Sequence, residues 1–201
     1  MKLVKVSALL LMTLFFLGVT TAGAQTNLGL YGLGLRVGLV FPEDPLDNAF
    51  GLGVQVPLGT LTRDLHLDLF GDFWTVGYDD EVVGVDVDID HTQFSVGGML
   101  KYYLPIRQDA VIFPYGGAGL AAVISSTDFS PATPGVSDET ENEFDVGLHL
   151  AVGTEFQLTE KLNGLAEIKY AINGADYLGV FVGVIFQFME FDRGPTGNGV
   201  Y

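Results

Sequence analysis

The stretch Phe144–Leu158, FDVGLHLAVGTEFQL, decides the fold. Its even positions are Phe144, Val146, Leu148, Leu150, Val152, Thr154, Phe156 and Leu158, nearly all apolar. Its odd positions are Asp145, Gly147, His149, Ala151, Gly153, Glu155 and Gln157, all polar or small. A helix would gather residues three and four apart on one face. A strict period of two instead requires an extended strand with one apolar and one polar face. The run is about twice as long as an ordinary globular strand. What remains is to find which surroundings suit a strand this long with all its charges on one side.

Seven other segments carry the same alternation to different degrees. Tyr31–Phe41 sets Tyr31, Leu33, Leu35, Val37, Leu39 and Phe41 against a face of glycines and Arg36. Phe50–Leu58 sets Phe50, Leu52, Val54, Val56 and Leu58 against Gly51, Gly53, Gln55 and Pro57. In Leu65–Trp74 the leucines oppose His66, Asp68, Phe70, Asp72 and Trp74. In Gln93–Leu104, Phe94, Val96, Leu100 and Tyr102 oppose Gln93, Ser95, Met99 and Lys101. Leu162–Ile172 places Glu167 and Lys169 on one face, and Leu178–Phe188 alternates valine and phenylalanine with Gly179, Phe181, Gly183, Ile185 and Gln187. Between Val111 and Ser125 the alternation is too weak to assign faces.

The connections alternate in length. Pro42–Asn48, Asp79–Asp90 and Ser126–Glu143 are long, whereas Gly59–Arg63, Pro105–Asp109 and Thr159–Lys161 are short. Only the last, Asn173–Asp176, is short where the pattern requires a long one. Fifteen of the 25 acids fall in Pro42–Asn48, Asp79–Asp90, Ser126–Glu143 and Asn173–Asp176, which contain no Lys or Arg. Every charge well inside a strand has the parity of the polar face: Arg36, Asp68, Asp72, Lys101, Asp145, Glu155, Glu167 and Lys169. This is the pattern of an up-and-down transmembrane barrel, in which a Lys or Arg turned to lipid at midplane costs roughly 2–4 kcal/mol. A soluble sandwich or lipocalin-like barrel reverses the faces and leaves the Gly-rich one in water, where glycine only weakens a strand. In a narrow membrane barrel the same glycines make room for the long interior side chains. The expected fold is all-β, an eight-stranded antiparallel up-and-down transmembrane β-barrel over residues 25–188, with a short tail at 189–201.

Residues 1–24 read as a cleaved signal peptide. Lys2 and Lys5 precede an apolar run from Val6 to Val19, and Ala22-Gly23-Ala24 provides small residues for cleavage. The run is short for an uncleaved membrane anchor. There is no Cys, hence neither a lipoprotein anchor nor a disulfide. The chain is 48% hydrophobic yet has a formal charge of −16, or −18 without Lys2 and Lys5. Such acidity excludes nucleic acid as a partner, because phosphate neutralisation needs Lys and Arg.

Three places resemble the small outer-membrane β-barrel family typified by outer membrane protein A. Pro114-Tyr115-Gly116-Gly117-Ala118-Gly119-Leu120 is similar to that family's Pro-Tyr-x-Gly-x-Gly strand. Gly153–Thr159 followed by Leu165–Tyr170 resembles its sixth strand, turn and seventh strand. Gly183, Phe186 and Phe188 resemble the closing strand's assembly signal, although Phe181 stands where that signal has a polar residue and the chain runs on past Phe188. The resemblance implies a Gram-negative outer-membrane location, insertion by the barrel-assembly machinery, and contact with membrane lipids and lipopolysaccharide. The chain is expected to be a monomer without cofactor or metal.

The interior of an eight-stranded barrel is only wide enough for side chains to fill it. The eight strand charges, with His66 and His149, are therefore expected to form an ion-pair network there, since an unpaired buried charge is costly. Surface lipid chemistry would need a Ser–His–acid set; Asp90, His91 and Ser95 are the nearest approach, and they lack a nucleophile context. Asp86-x-Asp88-x-Asp90 lacks the Gly and Glu of a calcium loop, and its alternation with Val85, Val87 and Ile89 reads as the solvated face of a β-ribbon projecting above the membrane, so divalent cations are expected only as bridges between the acidic rim and lipopolysaccharide phosphates. The expected function is non-enzymatic, a structural or surface-interaction role with a filled polar lumen. The alternative is a small pore or transporter for small or hydrophobic solutes, kept open by Phe70, Phe181 and Ile185 on the inner parity. Lipid modification is the third reading.

Overall fold

A computed structural model describes residues 27–44, 46–62, 65–82, 85–104, 111–131 and 139–189. The signal segment Met1–Ala24 and nearly all of the tail lie outside these residues. Among these residues there are nine strands, of which the alternating segments form the last eight: β1 Asn27–Leu28, β2 Gly32–Pro42, β3 Ala49–Thr62, β4 Leu65–Val82, β5 Val85–Tyr103, β6 Ile112–Pro131, β7 Glu139–Gln157, β8 Leu162–Ile172 and β9 Tyr177–Gln187. Each of β2 to β9 pairs antiparallel with its neighbours in sequence, and β2 pairs with β9 from Gly32↔Gln187 to Pro42↔Tyr177. The result is a closed eight-stranded barrel, with β1 as a two-residue addition. Closure satisfies the backbone groups that lipid cannot.

The faces divide by parity. Along β7, Phe144, Val146, Leu148, Leu150 and Val152 are exposed, while Gly147, His149, Ala151 and Glu155 are buried. In the whole barrel Phe50 is 81% exposed and Lys169 is 0% exposed, the inverse of a soluble protein. On β6 the weak alternation resolves with Tyr115, Gly119, Ala121 and Val123 inward and Ile124 outward.

β1 continues the β2 side of β3, pairing Asn27↔Thr60 and Leu28↔Gly59. Gly59 has φ 110° and lies against the Asn27 carbonyl and the Tyr31 ring, a place where any side chain would clash. Gly29 N–H donates to Leu58 O at 2.8 Å and Tyr31 N–H to Pro57 O at 3.0 Å, so the N-terminal segment is bonded to the end of the barrel that holds the short turns.

The strands extend further than the alternation indicated. Asp79–Asp90 and Ser126–Glu143 read as connections, yet β4 and β5 stay paired up to Val82↔Val85, and β6 and β7 up to Phe129↔Glu139. β4 to β7 run to 18, 19, 20 and 19 residues, against 11 for β2, β8 and β9. One side of the barrel therefore rises as a four-stranded wall above the rim. The acids placed in those two connections belong largely to this wall.

Inside, Phe181 fills a socket of glycines. A Cβ at Gly38, Gly51 or Gly179 would meet its ring. The aromatic that departs from the assembly signal is thus a packing element, grouped with Val40, Trp74, Val76, Ala171 and Tyr177. Phe181→Ala removes this ring and is expected to cost about 3 kcal/mol, read as a lower urea midpoint for loss of the fast-migrating, unheated species on gels. Wild type that migrates identically before and after heating would contradict a closed barrel.

Candidate functional site: the charged lumen

Seven of the eight expected lumen charges are buried and in contact. Arg36 on β2 sends its guanidinium to two strands. Nη2 lies 2.6 Å and Nε 3.2 Å from Asp72 Oδ1 on β4, and Nη1 donates to Glu167 Oε1 on β8. The second Asp72 oxygen, Oδ2, accepts from Lys169 Nζ at 2.6 Å. Glu167 Oε2 accepts from the Tyr115 hydroxyl at 2.6 Å. A planar guanidinium can serve two carboxylates at once because its donors are fixed in a fork.

A second group lies around Lys101 on β5. Its Nζ is 2.8 Å from Asp68 Oδ2 and 3.6 Å from Glu155 Oε1. Gln55 Nε2 donates to the same Asp68 oxygen at 2.9 Å, and the Tyr103 hydroxyl donates to Glu155 Oε1 at 2.7 Å. Tyr115 joins the two groups: its hydroxyl bonds Glu167, and Lys101 Nζ sits 4.4 Å from its ring centroid. Each cation also has an aromatic face, Arg36 with Phe181 at 5.2 Å and Lys169 with Phe70 at 3.8 Å. The two groups draw on seven strands, β2 to β8, and bridge the lumen from wall to wall.

Small residues make this possible. A Cβ on Gly53 would strike Arg36 and Asp72, one on Gly183 would strike Arg36, and one on Gly153 would strike the Tyr115 hydroxyl. The Gly-rich inner face is the space that the network occupies.

Asp145 is the eighth charge, and it stands apart. It is half-buried near the rim with Oδ2 beside Gly174, and no contact joins it to Arg36, Lys101 or Lys169 among the described residues. His66 packs edge-on against Tyr103 at 4.7 Å, and His149 lies against Phe70 at 5.0 Å. Tyr103, Tyr115 and Gln55 belong to the network but were not singled out for it in the sequence; inner parity was the available signal for Gln55 and Tyr103, while the weak alternation of β6 offered none for Tyr115.

Between the network and the wall lies a more aromatic section. Trp74 lies tilted against His91 at 5.1 Å and edge-on to Tyr177 at 5.9 Å between ring centroids. Trp74 Nε1, both Gln93 amide atoms, both His149 ring nitrogens and His91 Nε2 are buried without a hydrogen-bond partner among the described residues. His91 Nδ1 is 3.0 Å from Thr127 Oγ1. The Asp90, His91 and Ser95 set does not assemble: Asp90 is exposed on the outward face, while His91 and Ser95 are four residues apart on one strand, about 13 Å. Among the described residues no group of three His, Asp or Glu could hold a metal. The side chains of Asp86 and Asp88 lie outside the description. Gly183 backs Arg36, and Phe186 and Phe188 face outward with ring centroids 5.8 Å apart.

The outer membrane protein beta-barrel domain model matches residues 7–189. The chain belongs to that family. It is a small outer-membrane β-barrel protein. Its fold is similar to that of Neisserial surface protein A, at 16% identity and a TM-score of 0.59, covering 81% of this chain and 99% of that one. A major outer membrane protein from Thermus thermophilus is similar at 11% identity and a TM-score of 0.55, over 80% of this chain and 100% of that one. Ail, the attachment invasion locus protein of Yersinia pestis, in complex with the heparin analogue sucrose octasulfate, is similar at 15% identity and a TM-score of 0.54, over 81% and 100%. At these identities the likeness is one of fold. No curated protein matches the chain by sequence.

Asp72→Ala strips the carboxylate shared by Arg36 and Lys169 and is expected to cost about 3–5 kcal/mol, measured by urea unfolding in lipid vesicles. Asp72→Asn, which keeps the volume, should fall between the two. Equal midpoints for all three proteins would show that the shared carboxylate adds nothing to stability.

Proposed function

We propose that this protein is a non-enzymatic, surface-interaction barrel, exported through cleavage of residues 1–24, whose lumen is a sealed structural plug and whose contacts are made by the outer wall. The observation that carries this reading is the wall-to-wall ion-pair network. A water-filled pore would leave those charges solvated and free to move, whereas here Arg36, Lys101 and Lys169 are each at most 3% exposed and tied to carboxylates on other strands. A narrow barrel filled in this way leaves little room for solute. The wall of β4 to β7 is then the part of the molecule that meets partners outside the cell, above a rim where divalent cations can bridge acids to lipopolysaccharide phosphates.

A second reading, passage of small solutes, is favoured by the partnerless polar atoms of Trp74, Gln93 and His149 above the network. Buried groups of this kind normally bond protein or water, so this section suits hydration from the outside. The same section could then serve as the vestibule of a narrow, gated path.

Planar-bilayer recordings on purified wild-type protein decide between the two. The expected record has no large steady conductance at neutral pH. Stable channels of porin size would overturn the plugged lumen and support the pore.

A further inference from the structure

β7 outlasts one of its neighbours. Its pairing with β8 ends at Leu148↔Ile172, whereas its pairing with β6 continues to Phe129↔Glu139. From Glu139 to Gly147 it is the edge strand of the wall, and no backbone bond fills its free side among the described residues. The foot of this edge is covered by the Asn173–Asp176 turn, since Asn173 lies against Gly147 and Gly174 against Asp145, with the Glu143 carboxylate reaching the edge of Gly174. Above the turn, residues 140–144 are exposed.

An open edge presents a row of unpaired N–H and C=O groups and is a template for another strand. Proteins usually blunt such edges with charged side chains, above all lysine, with proline or with a bulge. This one has no bulge, Lys or Pro: the pairing with β6 is regular, and its charges are all acidic. It carries acids at every second residue instead, Glu141, Glu143 and Asp145, all of one parity and so on one face.

Two copies of this edge would set carboxylate against carboxylate, which is unfavourable directly across a strand pair. A strand with Lys or Arg at alternate positions would instead set a cation opposite each acid while its backbone completed the ladder. The charge pattern therefore selects the occupant. A second open edge, β4 beyond Phe50↔Thr75, carries its acids at the consecutive positions Asp79, Asp80 and Glu81, so its sequence does not give a row of alternate acids.

We propose that the β7 edge at Glu139–Phe144 captures, by strand addition, an extended segment of a partner protein with Lys or Arg at alternate positions. The proposal rests on the surface-interaction reading and names its partner chemistry. The test uses the full mature chain in lipid nanodiscs and a fluorescent octapeptide of alternating lysine and valine, read by anisotropy and by amide hydrogen exchange. Two controls are the alternating glutamate–valine peptide and the lysine–valine peptide N-methylated at every second residue, which keeps charge but cannot complete a ladder. The parent peptide should bind and slow exchange over residues 139–144. N-methylation should weaken binding at least tenfold, the acidic peptide should not bind, and Glu141→Gln with Glu143→Gln should weaken binding several-fold while heat-modifiable migration is kept. Equal binding of the N-methylated peptide, protection confined to residues 76–82, or no binding would each overturn strand capture. Failure of this kind in a non-conducting protein leaves the surface reading standing, whereas porin-sized conductance removes that reading directly.

Discussion

Arg36 is held by Asp72 from β4 and Glu167 from β8, and the rest of the interior is arranged around that clamp. Lipid outside the barrel forces every charge inward, and the interior is too narrow to hydrate them in bulk. The ions must then be satisfied by one another. A guanidinium suits the task because one rigid group reaches two carboxylates on different strands. Asp72 passes the connection to Lys169, Glu167 passes it to Tyr115, and Tyr115 faces Lys101 with Asp68 and Glu155. Gly53 on β3, Gly153 on β7 and Gly183 on β9 follow from the same demand, because the network occupies the volume their side chains would have taken.

Much of this was legible in the sequence. The parity of Arg36, Asp68, Asp72, Lys101, Glu155, Glu167 and Lys169 is enough to place them together, because a period of two assigns a face without knowledge of the neighbour. Which residue meets which is not legible that way. Arg36 and Glu167 are 131 residues apart, and their contact depends on register and stagger around the closed sheet. Asp145 has the right parity and misses the network because its height on β7 places it at the rim. Parity carries one coordinate of position, and the second comes from pairing.

The other gaps have equally local causes. On β6 the run Gly116-Gly117-Ala118-Gly119 has too little contrast in side-chain size for alternation to reveal a face. The outer halves of β4 to β7 read as connections because acids outnumber apolar residues there; only Val85, Val87 and Ile89, alternating with Asp86, Asp88 and Asp90, read as a ribbon above the membrane. Phe181 departs from the assembly signal, and the glycines around its ring account for it: Gly38 directly beside it on β2, Gly51 one strand further on β3 and Gly179 on β9 itself. Each is a case in which the partner strand holds the information.

The unequal strands also give the molecule a front and a back within the plane of the membrane. A barrel of uniform height can be approached equally from any side by whatever drifts in the outer leaflet. Here β2, β3, β8 and β9 stop at the rim while β4 to β7 stand above it. A large neighbour coming from the β6 side meets a tall sheet, and one coming from the β2 and β9 side meets a low parapet with the β7 edge at its flank. Rotation about the membrane normal, which is invisible in a symmetric barrel, therefore decides what this protein can touch in a crowded envelope.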